Sequence, residues 1–328
     1  MKICIFVGSR ANYGRLYSII KLLKSTHDII LIGGCTLNNI KSQVEFEINY
    51  WVEADLYNDT FDNRNLTMSL IAIQCGSILK NEKPDLCICH GDRFEVLGFA
   101  QASSSQEIKL MHLEAGEKSG MYDDKIRYAI SSLSDILLAP TIRSKNNLKF
   151  FTKKLIYNVG SPIVDYIYSL KLEKSSHEKV LVLFNPTNLK DLEKLINIIT
   201  KLDKKIVWVN PNIDPGHKEI TKRIKTLENI EFIKNVKLPD FINLLNDCRF
   251  AIGNSSAGLK EASVLGVPFI MVGTRQKDRE FGLNVIKSNC LDLVSLPLRY
   301  HYNGFIGNGD TANRVLEIIN EKVVVKND

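Results

Sequence analysis

Short apolar runs, each separated from the next by a stretch with helical spacing, recur along nearly the whole of this 328-residue chain. Residues 2–7, 29–32, 86–89, 110–113, 136–138 and 155–159 form a first series, and 180–184, 206–209, 230–233, 250–252 and 268–272 form a second. Runs that are apolar at consecutive positions predict strands buried on both faces, hence parallel sheets with helices on each side. The length is enough for about two domains, each with its own core. The expected fold class is therefore α/β, with two Rossmann-like doubly wound domains. The break is expected after Gly160-Ser161-Pro162, in the charged stretch 165–179, giving a first domain over 1–167 and a second over 168–328. The pattern at 311–321 reads as a final helix.

Composition adds a few exclusions. The net charge of +6 comes from dispersed lysines rather than a basic block, a weak signal for nucleic acid or a membrane surface and compatible with a diphosphate substrate. Seven cysteines, at 4, 35, 75, 87, 89, 248 and 290, are an odd number lying mostly in apolar runs, which predicts reduced thiols and a cytoplasmic protein. Cys87 and Cys89, flanking Ile88, are expected on opposite faces of a strand and so not to share a metal. The N-terminal apolar run stops at Val7, too short for a signal peptide, and no stretch approaches the ~20 apolar residues of a membrane span.

The most informative single stretch is 253–286, GNSSAGLKEASVLGVPFIMVGTRQKDREFGLNVI. A buried strand leads into a small-residue turn, and a helix is expected over 259–265 before Gly266-Val267-Pro268 stops it. Strand, turn and helix start form an anion site, because first-turn N–H groups lack intrahelical partners. Ser255 and Ser256 would add hydroxyl donors, Glu261 would accept the ribose hydroxyls, and Arg275 would supply a fixed cation. Ser-Ser-x-Gly taken alone is equally an N-capped helix start.

In doubly wound sheets ligands bind beyond the carboxyl ends of strands, so the polar clusters at the other strand ends carry the remaining signal. Gly8-Ser9-Arg10-Ala11-Asn12-Tyr13-Gly14-Arg15 follows the first strand and opens a helix; it is not a G-x-G-x-x-G fingerprint, so it gives little support to a dinucleotide. His90-Gly91-Asp92-Arg93-Phe94-Glu95 ends a strand too apolar to lie at the surface, where charges must be paired or functional. His112-Leu113-Glu114-Ala115-Gly116-Glu117 leads to Asp123-Asp124-Lys125-Ile126-Arg127. Crowded carboxylates there can shift one another's pKa and so supply both an acid and a base. Asp123 and Asp124 are also suited to N-capping the helix expected over 125–133. No ligand spacing for a metal is present. In the second half, turns containing Asn185-Pro186 and Asn210-Pro211-Asn212 follow strands and are placed to line a nucleotide pocket.

In order along the chain, GSRANYG, HGDRFE, HLEAGEKSGMYDDKIRYAIS, NVGSPIVD, NPNIDPG and the 253–286 stretch resemble the UDP-N-acetylglucosamine 2-epimerase family, and the Asp-Asp-x-Ile-Arg and Asn-Ile-Asp-x-Gly features resemble its hydrolysing branch. The resemblance implies a GT-B-like pair of domains with an inter-domain cleft, and no metal or NAD. It implies conversion of UDP-N-acetylglucosamine and water to UDP and N-acetylmannosamine, as in sialic-acid-type biosynthesis. The reaction runs by C2 deprotonation, anti elimination of UDP and hydration of the resulting glycal. By match to the family's motifs, Asp92, Glu114, Glu117, Asp123 and Asp124 would form the acid–base set. Arg10, Ala11, Arg93, Asn185, Asn212, Ser255, Ser256, Glu261 and Arg275 would bind the substrate. The resemblance also makes a homo-oligomer the expected assembly.

Two departures bear on the substrate. Position 12 is Asn where the family usually has Asp, and position 185 is Asn where a His normally precedes the proline. Asn donates a hydrogen bond but neither carries charge nor moves a proton. They bring in a 2,4-diacetamido (bacillosamine-type) nucleotide sugar as a second candidate substrate. Three alternatives remain: a non-hydrolysing 2-epimerase, disfavoured by Asp123-Asp124-Lys125-Ile126-Arg127; a GT-B glycosyltransferase with a similar donor site, which has less need of the Glu114–Asp124 carboxylates; and a nucleotide-sugar-binding protein without catalysis, against which the retained carboxylates argue.

Overall fold

In the computed structural model, residues 1–54, 61–151, 153–210, 217–234, 236–288 and 296–323 are described. The chain divides into two compact units, Met1–Tyr168 with Ile306–Asp328, and Ser169–Phe305.

The first unit holds a seven-stranded parallel sheet. Its strands are β1 (Lys2–Val7), β2 (Asp28–Gly34), β3 (Tyr50–Val52), β4 (Leu86–His90), β5 (Leu110–Leu113), β6 (Ile136–Ala139) and β7 (Leu155–Asn158), in the spatial order β3-β2-β1-β4-β5-β6-β7. The connecting helices include α1 (Arg10–Leu23), α2 (Phe61–Glu82), α3 (Phe94–Ser105) and α4 (Asp123–Leu133). One face of the sheet packs Ile3, Ile5, Leu86 and Ile88 against Leu16, Ile19 and Ile20 of α1. The other face packs Cys4, Phe6, Cys87 and Cys89 against Ile71 and Cys75 of α2 and Phe99 of α3. Cys87 and Cys89 thus point the same way, correcting the expectation of opposite faces: side chains two apart in a strand share a face. Burial raises the pKa of the Cys75 and Cys89 thiols, so both stay protonated and inert.

The second unit holds a six-stranded parallel sheet of β8 (Lys179–Leu183), β9 (Lys205–Val209), β10 (Ile230–Ile233), β11 (Cys248–Gly253), β12 (Phe269–Met271) and β13 (Val285–Lys287), ordered β10-β9-β8-β11-β12-β13. Trp208, Phe184 and Phe250 fill one face and Phe269, Leu245 and Val267 the other. Both sheets are doubly wound, and the direction of strand addition reverses at β1/β4 in the first and at β8/β11 in the second.

Two features differ from the reading of the sequence. The closing helix Thr311–Lys322 belongs to the first unit, not the second: Val315 and Ile319 sit in the same core as α1, and Asp165 accepts its first N–H groups at 3.1 and 2.7 Å. The helix expected over 259–265 is instead a single 3-10 turn, Ser256–Gly258, and a short helix, Glu261–Val264. Gly258 closes the 3-10 turn and packs directly on the Phe269 ring, where a Cβ would lie 2.3 Å from its carbons; the helix starts only after Lys260.

No helix among the described residues is long and apolar enough to cross a membrane.

Candidate functional site

In the first unit the polar clusters collect at the carboxyl ends of β1, β4 and β5. Glu114, directly after β5, is 5% exposed and sits in the left-handed region at φ 57°. That conformation is uncommon for a residue with a Cβ and persists where surrounding contacts over-determine it. The contacts are explicit. Arg15 of α1 reaches both carboxylate oxygens at 3.2 and 3.1 Å, the Ser161 hydroxyl donates to Oε1, and His90 Nε2 lies 3.2 Å from Oε2. Ser161 is brought there by Gly160, at φ 90°, whose missing side chain lets Gly307 and Thr311 approach.

A second group centres on Arg127, a fully buried guanidinium in α4. It donates to Asp124 Oδ1 and to the Glu117 carbonyl, each at 2.7 Å, and to Asp92. Burial alone lowers its pKa, but Asp92, Glu117 and Asp124 outweigh that and hold it above the ordinary arginine value. Asp124 accepts from the Ser119 N–H at 2.9 and 3.1 Å, from the Ser119 hydroxyl at 2.9 Å and from the Gly120 N–H at 2.9 Å. Burial acts to raise its pKa, yet these donors and Arg127 hold it below the usual carboxylate value. Asp124 therefore anchors the loop before α4 as a permanent anion, rather than capping the helix as its position suggested; Asp123 is the half-buried neighbour that opens α4.

His112, in the middle of these groups by sequence, is a structural residue. Its Nε2 donates to the Gly91 carbonyl at 2.8 Å and its Nδ1 accepts from the Ser131 hydroxyl at 3.0 Å. Burial pushes its pKa down to about 4, so the ring is neutral at physiological pH.

Of the substrate-binding candidates in this unit, Arg10 opens α1, with Ser9 as its N-cap, and burial lowers its pKa; Ala11 is exposed. Arg93 precedes α3, its Nε pairs with the fully buried Glu95, and its guanidinium lies 5.7 Å from the centre of the Phe94 ring.

In the second unit the turn after β11 is organised by Asn254, which is 1% exposed. Its side chain accepts from the Asn185 N–H at 2.7 Å and donates to the Asn185 carbonyl at 3.0 Å, tying the end of β8 to the end of β11. Its own carbonyl accepts from Arg275 at 3.3 Å and from Gln276 at 3.0 Å. Gly253, at φ 148°, permits the approach: a Cβ there would lie 2.0 Å from the Leu183 carbonyl oxygen. Ser255 caps the following turn, its hydroxyl accepting from the Ala257 N–H at 3.3 Å; Ser256 lies in that turn, and Glu261 is buried at the start of the short helix. Asn212 lies outside the described residues. Arg15, Ser161, His90 and Asn254 lie inside the sequence clusters but were given no role there. Their signal was weak: each is an ordinary polar residue whose partner lies far away in the chain.

The family model described as UDP-N-acetylglucosamine 2-epimerase matches residues 24–319. The chain belongs to that family. Membership makes it an enzyme of the nucleotide-sugar 2-epimerase type. Among its relatives, the UDP-N,N'-diacetylbacillosamine 2-epimerase (hydrolyzing) of Legionella pneumophila is 28% identical, with 97% of this chain and 95% of the relative covered. The UDP-N-acetylglucosamine 2-epimerase of Neisseria meningitidis serogroup B is 26% identical over the same shares. The crystal structure of UDP-GlcNAc 2-epimerase from Neisseria meningitidis bound to UDP-GlcNAc has a TM-score of 0.81 at 19% identity, covering 98% of this chain and 100% of that one. The Methanocaldococcus jannaschii UDP-GlcNAc 2-epimerase in complex with UDP-GlcNAc and UDP has a TM-score of 0.78 at 23% identity, covering 98% of this chain and 99% of that one. The fold of the family is therefore shared along the chain's length.

Proposed function

We propose that this epimerase is of the hydrolysing type, converting UDP-N-acetylglucosamine and water to UDP and N-acetylmannosamine. The observation that carries the reading is the Arg127-centred group: the Asp123-Asp124-Lys125-Ile126-Arg127 segment that resembles the hydrolysing branch supplies the buried cation that gathers Asp92 and Asp124. The relative from Legionella, named as a hydrolysing enzyme, also supports it.

In the reaction a carboxylate removes the C2 proton, the C1–O bond to UDP breaks, and a glycal remains. Water then adds its oxygen to C1 while C2 takes a proton on the opposite face. Such proton transfers need positioned carboxylates, and the leaving diphosphate needs cations. We assign the acid–base work to Glu114 and Asp123. Asp92 and Asp124 are bound to Arg127 and hold the loop before α4 in place, with Glu117 contributing its carbonyl. Arg10, Ala11, Arg93, Asn185, Asn212, Ser255, Ser256 and Arg275 are assigned to the nucleotide sugar, and Glu261 to the ribose.

A proton NMR time course with UDP-N-acetylglucosamine in deuterated water tests the reading. The expected products are free UDP and N-acetylmannosamine deuterated at C2. Deuterium appearing in intact UDP-sugar would overturn the hydrolysing assignment. Turnover only of 2,4-diacetamido donors would move the substrate to the bacillosamine type, the reading favoured by Asn185. Glu114→Gln is expected to lose roughly a hundredfold in kcat while still binding UDP, and full activity would remove Glu114 from the mechanism.

A further inference from the structure

Asn12 lies in the first turn of α1 and is 4% exposed. Its side-chain orientation follows from its partners: the Ser9 hydroxyl is 2.9 Å from Oδ1, and Nδ2 lies 3.3 Å from the His90 carbonyl, which can only accept. The same Nδ2 is 3.0 Å from His90 Nδ1. An amide N–H facing Nδ1 requires a lone pair there, so the single proton of the neutral ring sits on Nε2. That nitrogen lies 3.2 Å from Glu114 Oε2, within ion-pair distance but outside hydrogen-bond geometry.

We propose that Asn12 is a positioning residue that holds His90 in its Nε2–H form, so that Glu114 has a neutral ring beside it rather than an imidazolium. This inference rests on the assignment of Glu114 to the acid–base work, though its structural half stands independently. Glu114 already has Arg15 as a charged partner, and a second full cation beside it would stabilise the anion further and weaken it as a base. An aspartate at position 12 would accept from Nδ1 and favour a doubly protonated ring between two carboxylates. An asparagine, held here with Nδ2 toward the ring, carries no charge to do so. The chain thus sets the basicity of Glu114 from a residue that does not touch it.

The test uses protein labelled with nitrogen-15 at histidine, with the six histidines resolved by long-range proton–nitrogen correlation and His90 assigned by its loss in His90→Gln. Wild type is expected to show His90 with Nε2 protonated and Nδ1 bare. Asn12→Asp, which keeps the side chain's size and an oxygen for Ser9, is expected to show a proton on Nδ1. A proton on Nδ1 in the wild type, or an unchanged pattern in Asn12→Asp, would overturn the proposal. Glu114→Gln guards against a fold defect in the first variant: its His90 is expected to keep the Nε2–H form, and a switch there would show that Glu114, not Asn12, sets the tautomer. These readings need no substrate, so they stand apart from the choice of reaction. In steady-state kinetics with whichever nucleotide sugar is turned over, Asn12→Asp is expected to lower kcat roughly tenfold at unchanged KM. A rise in KM at unchanged kcat would place Asn12 in substrate binding instead and overturn the positioning role.

Discussion

Each unit carries a buried asparagine where its sheet reverses direction, and the two are used differently. Asn12 joins the ends of β1 and β4 through an imidazole, whereas Asn254 joins the ends of β8 and β11 through the main chain of Asn185. In the first unit the clamp leads at once to ionisable groups: His90, Glu114, Arg15, and alongside them Arg127 with its two aspartates. In the second it involves amides, carbonyls and the Thr187 hydroxyl, with Arg275 attached to the same Asn254 carbonyl. The switch point of a doubly wound sheet is a place to bind ligands. What the sequence puts there decides whether that place can move protons or only hold. Ionisable side chains are concentrated at the switch point of one unit, and groups of fixed polarity at that of the other.

The contrast can be broken most forcefully at Arg127. Arg127→Met leaves Asp92 and Asp124 without their buried cation and is expected to destabilise the first unit by roughly 3–5 kcal/mol and abolish turnover; denaturant unfolding would check the stability. A variant of native stability would show that the cluster does not hold the unit together.

Next in size is the pH response. The folded-state pKa of His112, about 4, is below its ordinary 6.5. Between these values the unfolded chain binds the proton and the folded one does not. Stability is thus full above pH 6.5 and falls towards pH 4, by up to about 3 kcal/mol. His112→Asn is expected to flatten that slope in urea titrations across this pH range.

Asn254→Ala, which removes its bonds to the buried Asn185 N–H and carbonyl, is expected to destabilise the second unit by about 2 kcal/mol and to weaken UDP binding in calorimetry while sparing the first unit. The smallest effect is expected far from either switch point. Asp247 accepts from the Ser176 N–H and from Lys179, which overcome the opposing effect of burial and hold its pKa at about 2. Its contribution is present above its ordinary 3.8 and lost as the pH falls towards 2. Asp247→Asn is expected to cost about 1 kcal/mol at neutral pH, with no change in UDP affinity.

Consecutive apolar positions made most strands legible in the sequence, and β1, β5 and even the edge strand β10 begin and end where they were expected. The edge strands β3 and β13 were missed: each is three residues long with only one sheet neighbour, so neither needs a continuous apolar run. The helix over 259–265 was read too long: a 3-10 turn precedes it and only Glu261–Val264 is helical, a break that local apolar spacing does not encode. At the functional site, charged residues at strand ends were visible because burying charge is expensive. Their partners were not. Ser161 meets Glu114 across 47 positions and Arg15 meets it across 99, and such pairs are defined only once the strands are in order. The separate roles of Asp123 and Asp124 were equally hidden, since adjacent identical residues differ only in what surrounds them.

The return of the Thr311–Lys322 helix to the first unit makes the second, Ser169–Phe305, topologically an insertion tethered at both ends. A protease that cuts only at the second tether leaves the units covalently joined through the first. One that cuts only at the first leaves the fragment anchored by Val315 and Ile319 in the core beside α1. Release of the second unit therefore takes two cuts, or one cut and the extraction of a buried helix.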